Sequence, residues 1–573
     1  MSSTNSTVGL LADSKYPTTS SLLDQNSHSA LLGGLDQQLH MGLQDINDGE
    51  EDDYLHDPRV KNKKISDASW RGIANVSVLL LILFALITLF AGYPLISHYT
   101  RKTSPWQAAQ TNATGQVPSL PNLPALIDPD TPVHALTRTG IDGEEYELVF
   151  SDEFNTDGRS FYPGEDPYWE AVDLWYTATE DMEWYDPGQI TTRNGALVIV
   201  LEWADTDDHP GLPFVSGMLQ SWNKFCFTTG YIEVSTILPG AGDISGYWPG
   251  AWMMGNLGRP GYGASVDGLW PYTYDSCDWG TLPNQTYNGM PEVNEKGGAS
   301  PKSNYNLSWL PGQRLSACTC PGEVHPGPNV NTGRGAPEID IFEAQINLQT
   351  KTNGRVSQSA QMAPFNYLYY TPNSSADMTI YNPETTALNT YRQQAVSALT
   401  QSNDTTYAEG GAQWTTYGTE YWSNPKNRDE GSISWVAGSP VFTVDANVFG
   451  PDETVNISRR LISEEPMSIV LNLAVSTSFQ PVDSAAFQLP AELRFDYVRV
   501  YQRKGLSDDY RSCDPPGYPT ADYINQHPNV YNNAQLLTWA SAGGTKPKNS
   551  LVSSDDTPWQ VHLVTLYLHE PPY

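Results

Sequence analysis

Three carboxylates stand close together in Gly335-Ala-Pro-Glu338-Ile-Asp340-Ile-Phe-Glu343-Ala-Gln345, alternating with apolar residues. Such alternation predicts a strand with one buried face and one open face. Side chains at even separation share a face, so Glu338 and Asp340 point the same way, whereas Glu343 lies at an odd separation and would turn to the other. A β-bulge at Ile341 or Phe342 absorbs one residue and returns Glu343 to the face of the other two. Glu338 and Glu343 then stand about four strand steps apart, with roughly 13 Å between Cα atoms. Two glutamates leaning together over that span can bring their carboxyls near the roughly 5–5.5 Å of a retaining glycosidase. Asp340, between them, can hydrogen-bond the attacking group. Three acids on one concave surface cannot all ionise cheaply, so their pKa values must separate, leaving one to attack and another to donate a proton. Taken alone, the pattern equally describes a solvated acidic strand face or a calcium site. The surroundings have to decide.

The elements that would position these acids belong to a chain of 573 residues, long enough for more than one domain. Its 65 acidic and 31 basic residues give a formal charge of −34, which argues against nucleic acid and other polyanionic partners. A neutral polymer is compatible with it. The 17 Trp and 32 Tyr suit flat sugar rings, although most aromatic residues of a β-sandwich fill its core.

Residues 1–71 read as a disordered tail, rich in Ser, Asn, Gln, Asp and Gly. An apolar segment over 72–96 predicts a transmembrane helix, too far from the N-terminus for an ordinary signal peptide. Arg59, Lys61, Lys63, Lys64 and Arg71 on its N-terminal side predict a cytosolic tail and a lumenal or extracellular remainder, a single-pass type II topology. All five Cys follow this segment, as do sequons at Asn112, Asn284, Asn306, Asn373, Asn403 and Asn456. One Cys must lack an intrachain partner, and the connectivity cannot be deduced. Cys318-Thr-Cys320 lacks zinc-ligand spacing, and no metal or cofactor is expected.

Residues 97–145, with Pro118, Pro121, Pro124, Pro129 and Pro132, read as a stalk. From Tyr146 short strand-like runs recur: 146–154, 197–201, 230–235, 339–341, 433–435, 468–472 and 495–501, separated by Gly, Pro, Asn and Asp. The fold class is all-β, a sandwich over 146–505 with long insertions at about 255–335 and 371–413. Residues 506–573 read as an extension wrapping the sandwich. Gly258-Arg-Pro-Gly261-Tyr-Gly263 lacks the context of a phosphate loop, and no G-x-S-x-G elbow or nucleotide-sugar signature is present.

Tyr146-Glu-Leu-Val-Phe-Ser-Asp-Glu-Phe-Asn155, Trp248-Pro-Gly-Ala-Trp252, Glu338-Ile-Asp-Ile-Phe-Glu343 and Phe495-Asp-Tyr-Val-Arg-Val-Tyr-Gln502 resemble the successive blocks of glycoside hydrolase family 16. Trp414-Thr-Thr-Tyr417, Ile433-Ser-Trp435 and Ile469-Val-Leu-Asn-Leu-Ala474 fit between them in order. The type II anchor, residues 248–263 and Cys513-Asp-Pro-Pro-Gly-Tyr-Pro-Thr-Ala-Asp-Tyr523 further resemble the fungal Skn/Kre-type β-glucan synthesis-associated proteins. The resemblance implies a concanavalin-like jelly-roll sandwich with a glucan cleft on its concave face. It also implies a role in cell-wall β-1,6-glucan synthesis, in the secretory pathway or at the plasma membrane. On it Glu338 matches the nucleophile, Asp340 its assistant and Glu343 the general acid/base, while Trp248, Trp252 and Trp435 match positions near the cleft.

The expected function is a membrane-anchored glycosidase or transglycosylase acting on β-glucan, with wall-synthesis proteins as further partners. An apolar acceptor side that excludes water would favour transfer. The alternatives are a non-catalytic glucan-binding scaffold for a separate synthase, and a secretory-pathway factor that processes protein-linked glycans.

Overall fold

The structure, a computed structural model, describes residues 70–88, 125–204, 211–297, 305–367, 377–389 and 395–552. It divides into two compact units, Met1–Tyr99 and Thr100–Tyr573. In the first, the described residues form a helix, Trp70–Ile87, with only apolar residues from Val78 onward and its large side chains there exposed. At 1.5 Å per residue these 18 residues reach about 27 Å, short of the roughly 30 Å of bilayer hydrocarbon. Among the described residues no helix is long and apolar enough to cross a membrane. The span predicted over 72–96 is therefore helical as far as it is described. Its remainder, the tail up to residue 69 and the stalk up to 124 lie outside the described residues.

The second unit is built on two antiparallel-rich sheets, of thirteen and eight strands among the described residues. The eight-stranded sheet runs, edge to edge, Thr386–Leu388, Ala395–Gln401, Gly354–Gln361, Glu338–Ile346, Tyr247–Gly255, Met467–Val475, Met218–Gln220, Glu170–Ala171. The larger sheet includes Glu145–Asp152, Ala196–Trp203, Gly230–Ile237, Thr415–Ser423, Gly431–Ala437 and Ala491–Arg503. Each predicted run lies in one of these strands or begins in it. Ile232, Val234, Leu197, Ile199, Phe495, Val498 and Val500 from one sheet meet Ile339, Ile341, Ile469, Leu471 and Leu473 from the other in a single apolar core. Period-2 alternation explains this, since one face of each strand supplies the core, with a bulge between Phe495 and Tyr497 returning Phe495 to the face of Val498. Met467–Val475 is buried along its whole length and correspondingly reads as a nearly continuous apolar run.

The acidic strand carries the predicted irregularity. Asp340 pairs with Ser359 and Glu343 with Ser357, so three steps on one strand face two on the other. Ile341 and Phe342, adjacent in sequence, both enter the core. A bulge frees backbone carbonyls from the ladder, and buried carbonyls need partners. Two side chains supply them: Gln358 Nε2 donates to the Ile341 carbonyl at 2.8 Å, and Trp435 Nε1 to the Asp340 carbonyl at 2.9 Å.

Packed structure begins before the predicted stalk ends: Thr137–Thr139 pairs with Glu145–Asp152, and Thr131 bonds Ser151 and Glu153. The 255–335 insertion and the C-terminal extension share a second core, in which Met254, Leu257, Leu269, Leu315 and Ala336 meet Tyr523, Ile524, Val530, Tyr531 and Trp539. Arg334, fully buried, forks onto Glu465 with two 2.8 Å bonds and also donates to the Pro519 carbonyl at 2.6 Å. Disulfides join Cys226 to Cys513 and Cys277 to Cys318, leaving Cys320 as the free thiol.

Candidate active site

Because the bulge restores the register, Glu338, Asp340 and Glu343 all line one cleft on the eight-stranded sheet, a cavity of about 320 Å³. On the flanking strand the partners of Glu338 and Glu343 are Gln361 and Ser357, four strand steps apart as expected from the sequence. On the other flank Gly250 lies opposite Glu343 and also lines the cleft. A Cβ at Gly250 would come within 2.9 Å of Asn472 Oδ1 and would push that side chain from its place in the cleft.

Each glutamate is held by one indole. Trp248 Nε1 donates to Glu343 Oε1 at 2.9 Å, and the Trp248 ring stacks on Phe479 with centroids 4.2 Å apart. Trp270 Nε1 donates to Glu338 Oε2 at 2.7 Å. Asp340 accepts from the Ser359 hydroxyl and is hydrogen-bonded to Glu338. Two carboxyls joined by a hydrogen bond must share a proton between them.

Burial pushes all three acids upward. Asp340 rises to about 6, with its hydrogen bonds opposing the shift. Glu338 rises well above the ordinary carboxylate range through burial and the charges of Asp340 and Glu343, opposed by the Trp270 bond. Glu343 rises well above it through burial and the Asp340 charge, opposed by the Trp248 bond. Such a cluster holds protons near neutrality while keeping negative charge available, which suits an acid and a nucleophile side by side.

Apart from Trp252, the remaining wall was not legible in the sequence. Trp252 Nε1 donates to Asn472 Oδ1 at 3.0 Å, Asn472 Nδ2 to the Tyr185 hydroxyl at 3.1 Å, and Tyr185 to Asp181 Oδ2 at 3.1 Å. Trp252, Asn472, Tyr185 and Asp181 all line the cleft. Asp181 is raised to about 6 by burial, and Glu183 behind it is raised well above the usual range by burial and the Asp181 charge. Glu183 accepts from the Val475 amide at 2.9 Å. Tyr176 completes this side, close enough for the charges of Glu338 and Asp181 to act on it.

Of the three tryptophans expected near the cleft, Trp248 and Trp252 line it and Trp435 does not. Trp435 is fully buried in the core, stacked on Phe442 with centroids 5.2 Å apart. Its register explains this: Trp435 shares a strand face with Ile433, which points into the core. From there it supports the cleft indirectly, through the carbonyl of Asp340. Among the sequon asparagines, Asn403 and Asn456 are exposed and Asn284 and Asn306 half-buried, while Asn112 and Asn373 lie outside the described residues.

A family model described as beta-glucan synthesis-associated protein SKN1/KRE6/Sbg1 matches residues 43–554. The beta-glucan synthesis-associated protein KRE6 of Saccharomyces cerevisiae is 43% identical over 530 residues, spanning 88% of this chain and 69% of its own. The endo-1,3-1,4-beta-glycanase ExsH of Rhizobium meliloti is 26% identical over 179 residues, 28% of this chain and 35% of its own. The crystal structure of SCLam, a non-specific endo-beta-1,3(4)-glucanase from family GH16, covers 63% of this chain and 92% of its own at 19% identity, with a TM-score of 0.34.

Proposed function

We propose, for a chain that belongs to the SKN1/KRE6/Sbg1 family of beta-glucan synthesis-associated proteins, a retaining glycosidase or transglycosylase activity on β-glucan that serves cell-wall β-1,6-glucan synthesis. The observation that carries this reading is the bulged strand, which turns Glu338, Asp340 and Glu343 toward one open, tryptophan-walled hollow. Glu338 attacks the anomeric carbon while Glu343 protonates the departing oxygen. The proton shared between Asp340 and Glu338 stays on Asp340, which leaves Glu338 the carboxylate that forms the ester bond. Glu343, now a carboxylate, takes the proton of water or of a sugar hydroxyl in the second step.

The chain is anchored through the apolar segment that includes Trp70–Ile87, with the sandwich on the lumenal or extracellular side. The all-apolar, exposed stretch from Val78 to Ile87 supports this, as do the basic residues preceding it and the exposed sequons at Asn403 and Asn456. Asn112, Asn284, Asn306 and Asn373 are further glycosylation positions on the same side.

The test is Glu338→Gln in the full-length protein. Incubation of the unaltered protein with β-glucan oligosaccharides should release reducing ends or yield products longer than the donor, and the variant should do neither. If cells carrying only the variant build a normal wall, the chemistry is not required and the chain acts as a glucan-binding scaffold.

A further inference from the structure

The residues of the acidic strand that line the cleft run Glu338, Asp340, Glu343 and Gln345. With Glu343 protonating the leaving oxygen, the departing sugar, and later the incoming one, lie beyond Glu343 on the side away from Glu338. The two ends of the cleft differ in chemistry. Around Glu338 stand Trp270, Met254 and Val266 with Gln361, whereas beyond Glu343 Gln345, Arg355, Asn389 and Ser397 stand beside Leu348 and Leu399.

Register ties this polar end together. Arg355 lies opposite Gln345, and Ser357 opposite Glu343. The Ser357 and Ser397 hydroxyls are 3.3 Å apart, and Asn389 Nδ2 donates to Ser397 Oγ at 3.3 Å. Arg355 is half-buried, and no carboxylate among the described residues pairs with it, although the chain carries a net charge of −34. Its guanidinium is uncommitted to any carboxylate among the described residues, and its planar fork of five donors matches two neighbouring oxygens. The three acids alongside disfavour an anionic ligand, which leaves a neutral pair of adjacent hydroxyls.

We propose that Arg355, with Gln345, Asn389 and Ser397, forms the acceptor subsite and binds two adjacent hydroxyls of a neutral glucosyl unit, so that this unit displaces water as the second substrate. This rests on the activity proposed above. In the transfer step the acceptor hydroxyl oxygen bonds to the anomeric carbon, the ester bond to Glu338 breaks, and Glu338 leaves as a carboxylate. The hydroxyl proton passes to Glu343. The subsite grips its hydroxyls through hydrogen bonds, with Leu348 and Leu399 as the apolar surface beside them.

Arg355→Gln keeps a polar side chain and removes the fork. The full-length protein would be given a β-1,3-linked glucose tetrasaccharide as donor and a fluorescent β-1,6-linked glucose trisaccharide as acceptor. Transfer and hydrolysis both drain one glycosyl-enzyme, so in the variant the ratio of labelled transfer product to donor hydrolysed should fall about tenfold, whatever happens to the overall rate of cleavage. If that ratio is unchanged, the subsite assignment is wrong and the activity itself stands. If the unaltered protein shows neither reaction, the activity is wrong, and calorimetric titration with the same two oligosaccharides judges the subsite: affinity about tenfold weaker in the variant supports it, and equal affinity overturns it.

Discussion

The two glutamates of the cleft are each bonded to an indole, and the indoles come from different parts of the molecule. Trp248 reaches Glu343 from the neighbouring strand of the same sheet, where register alone brings it close. Trp270 reaches Glu338 from the 255–335 insertion, which is held in turn by the C-terminal extension through Leu257, Leu315, Tyr531 and Trp539. One half of the site is thus intrinsic to the sandwich and the other is imposed by a body packed outside it. The first depends on strand pairing, and the second on long-range contacts that strand pairing does not guarantee.

The largest effect should come from breaking the imposed half. Arg334→Met leaves Glu465 buried without its partner, four residues before Glu338, and should cost about 3–5 kcal/mol in denaturant unfolding of the full-length protein. Activity should fall with it. A loss under about 1 kcal/mol would mean that this ion pair does not hold the insertion against the strand.

Next comes the burial of an acid in the sandwich half. Asp340 is raised from 3.8 to about 6 in the folded chain, so folding binds a proton that the unfolded chain would have lost. The site is unstrained at low pH and becomes destabilising as pH rises through that interval. Asp340→Asn should therefore raise stability at pH above about 6, by at most about 3 kcal/mol, and leave it unchanged near pH 3. Thermal unfolding at both pH values checks the sign, and activity should drop.

The smallest effects separate the two indoles. Removing either N–H donor raises the pKa of its own glutamate. With Glu338 required ionised and Glu343 protonated, Trp270→Phe should move the acid limb of the kcat/KM profile upward, and Trp248→Phe the alkaline limb, each by about one pH unit. Trp435→Phe should shift neither limb while costing about 1–3 kcal/mol for the uncapped Asp340 carbonyl. Movement of the same limb in both indole variants would assign both residues to one carboxylate.

This contrast also marks how far the sequence could be read. The bulge was legible because Ile341 and Phe342 stand side by side where alternation demands one apolar residue, and both are buried. Trp248 and Trp252 were legible from their place in a strand-like block. Trp435 was misassigned to the cleft, although its even spacing from Ile433 carried the signal for the core. Trp270, 68 residues from Glu338, and Asn472, 287 residues from its partner Tyr185, had no local pattern to announce them. Arg355 alternates correctly for the open face, but alternation cannot tell which cation has no carboxylate partner among the described residues. The transmembrane span was read from hydropathy, and only its helical first part lies among the described residues.

The bond between Cys226 and Cys513 spans 287 residues, and Tyr531 and Trp539 pack beneath the same insertion that carries Trp270. A polypeptide emerging from the ribosome exposes its three acids long before these supports have been synthesised. Such a chain passes through an interval with Glu338 on a strand that nothing yet braces from the insertion side. The brace on Trp270 therefore cannot be complete before the segment around 513–539 has been made.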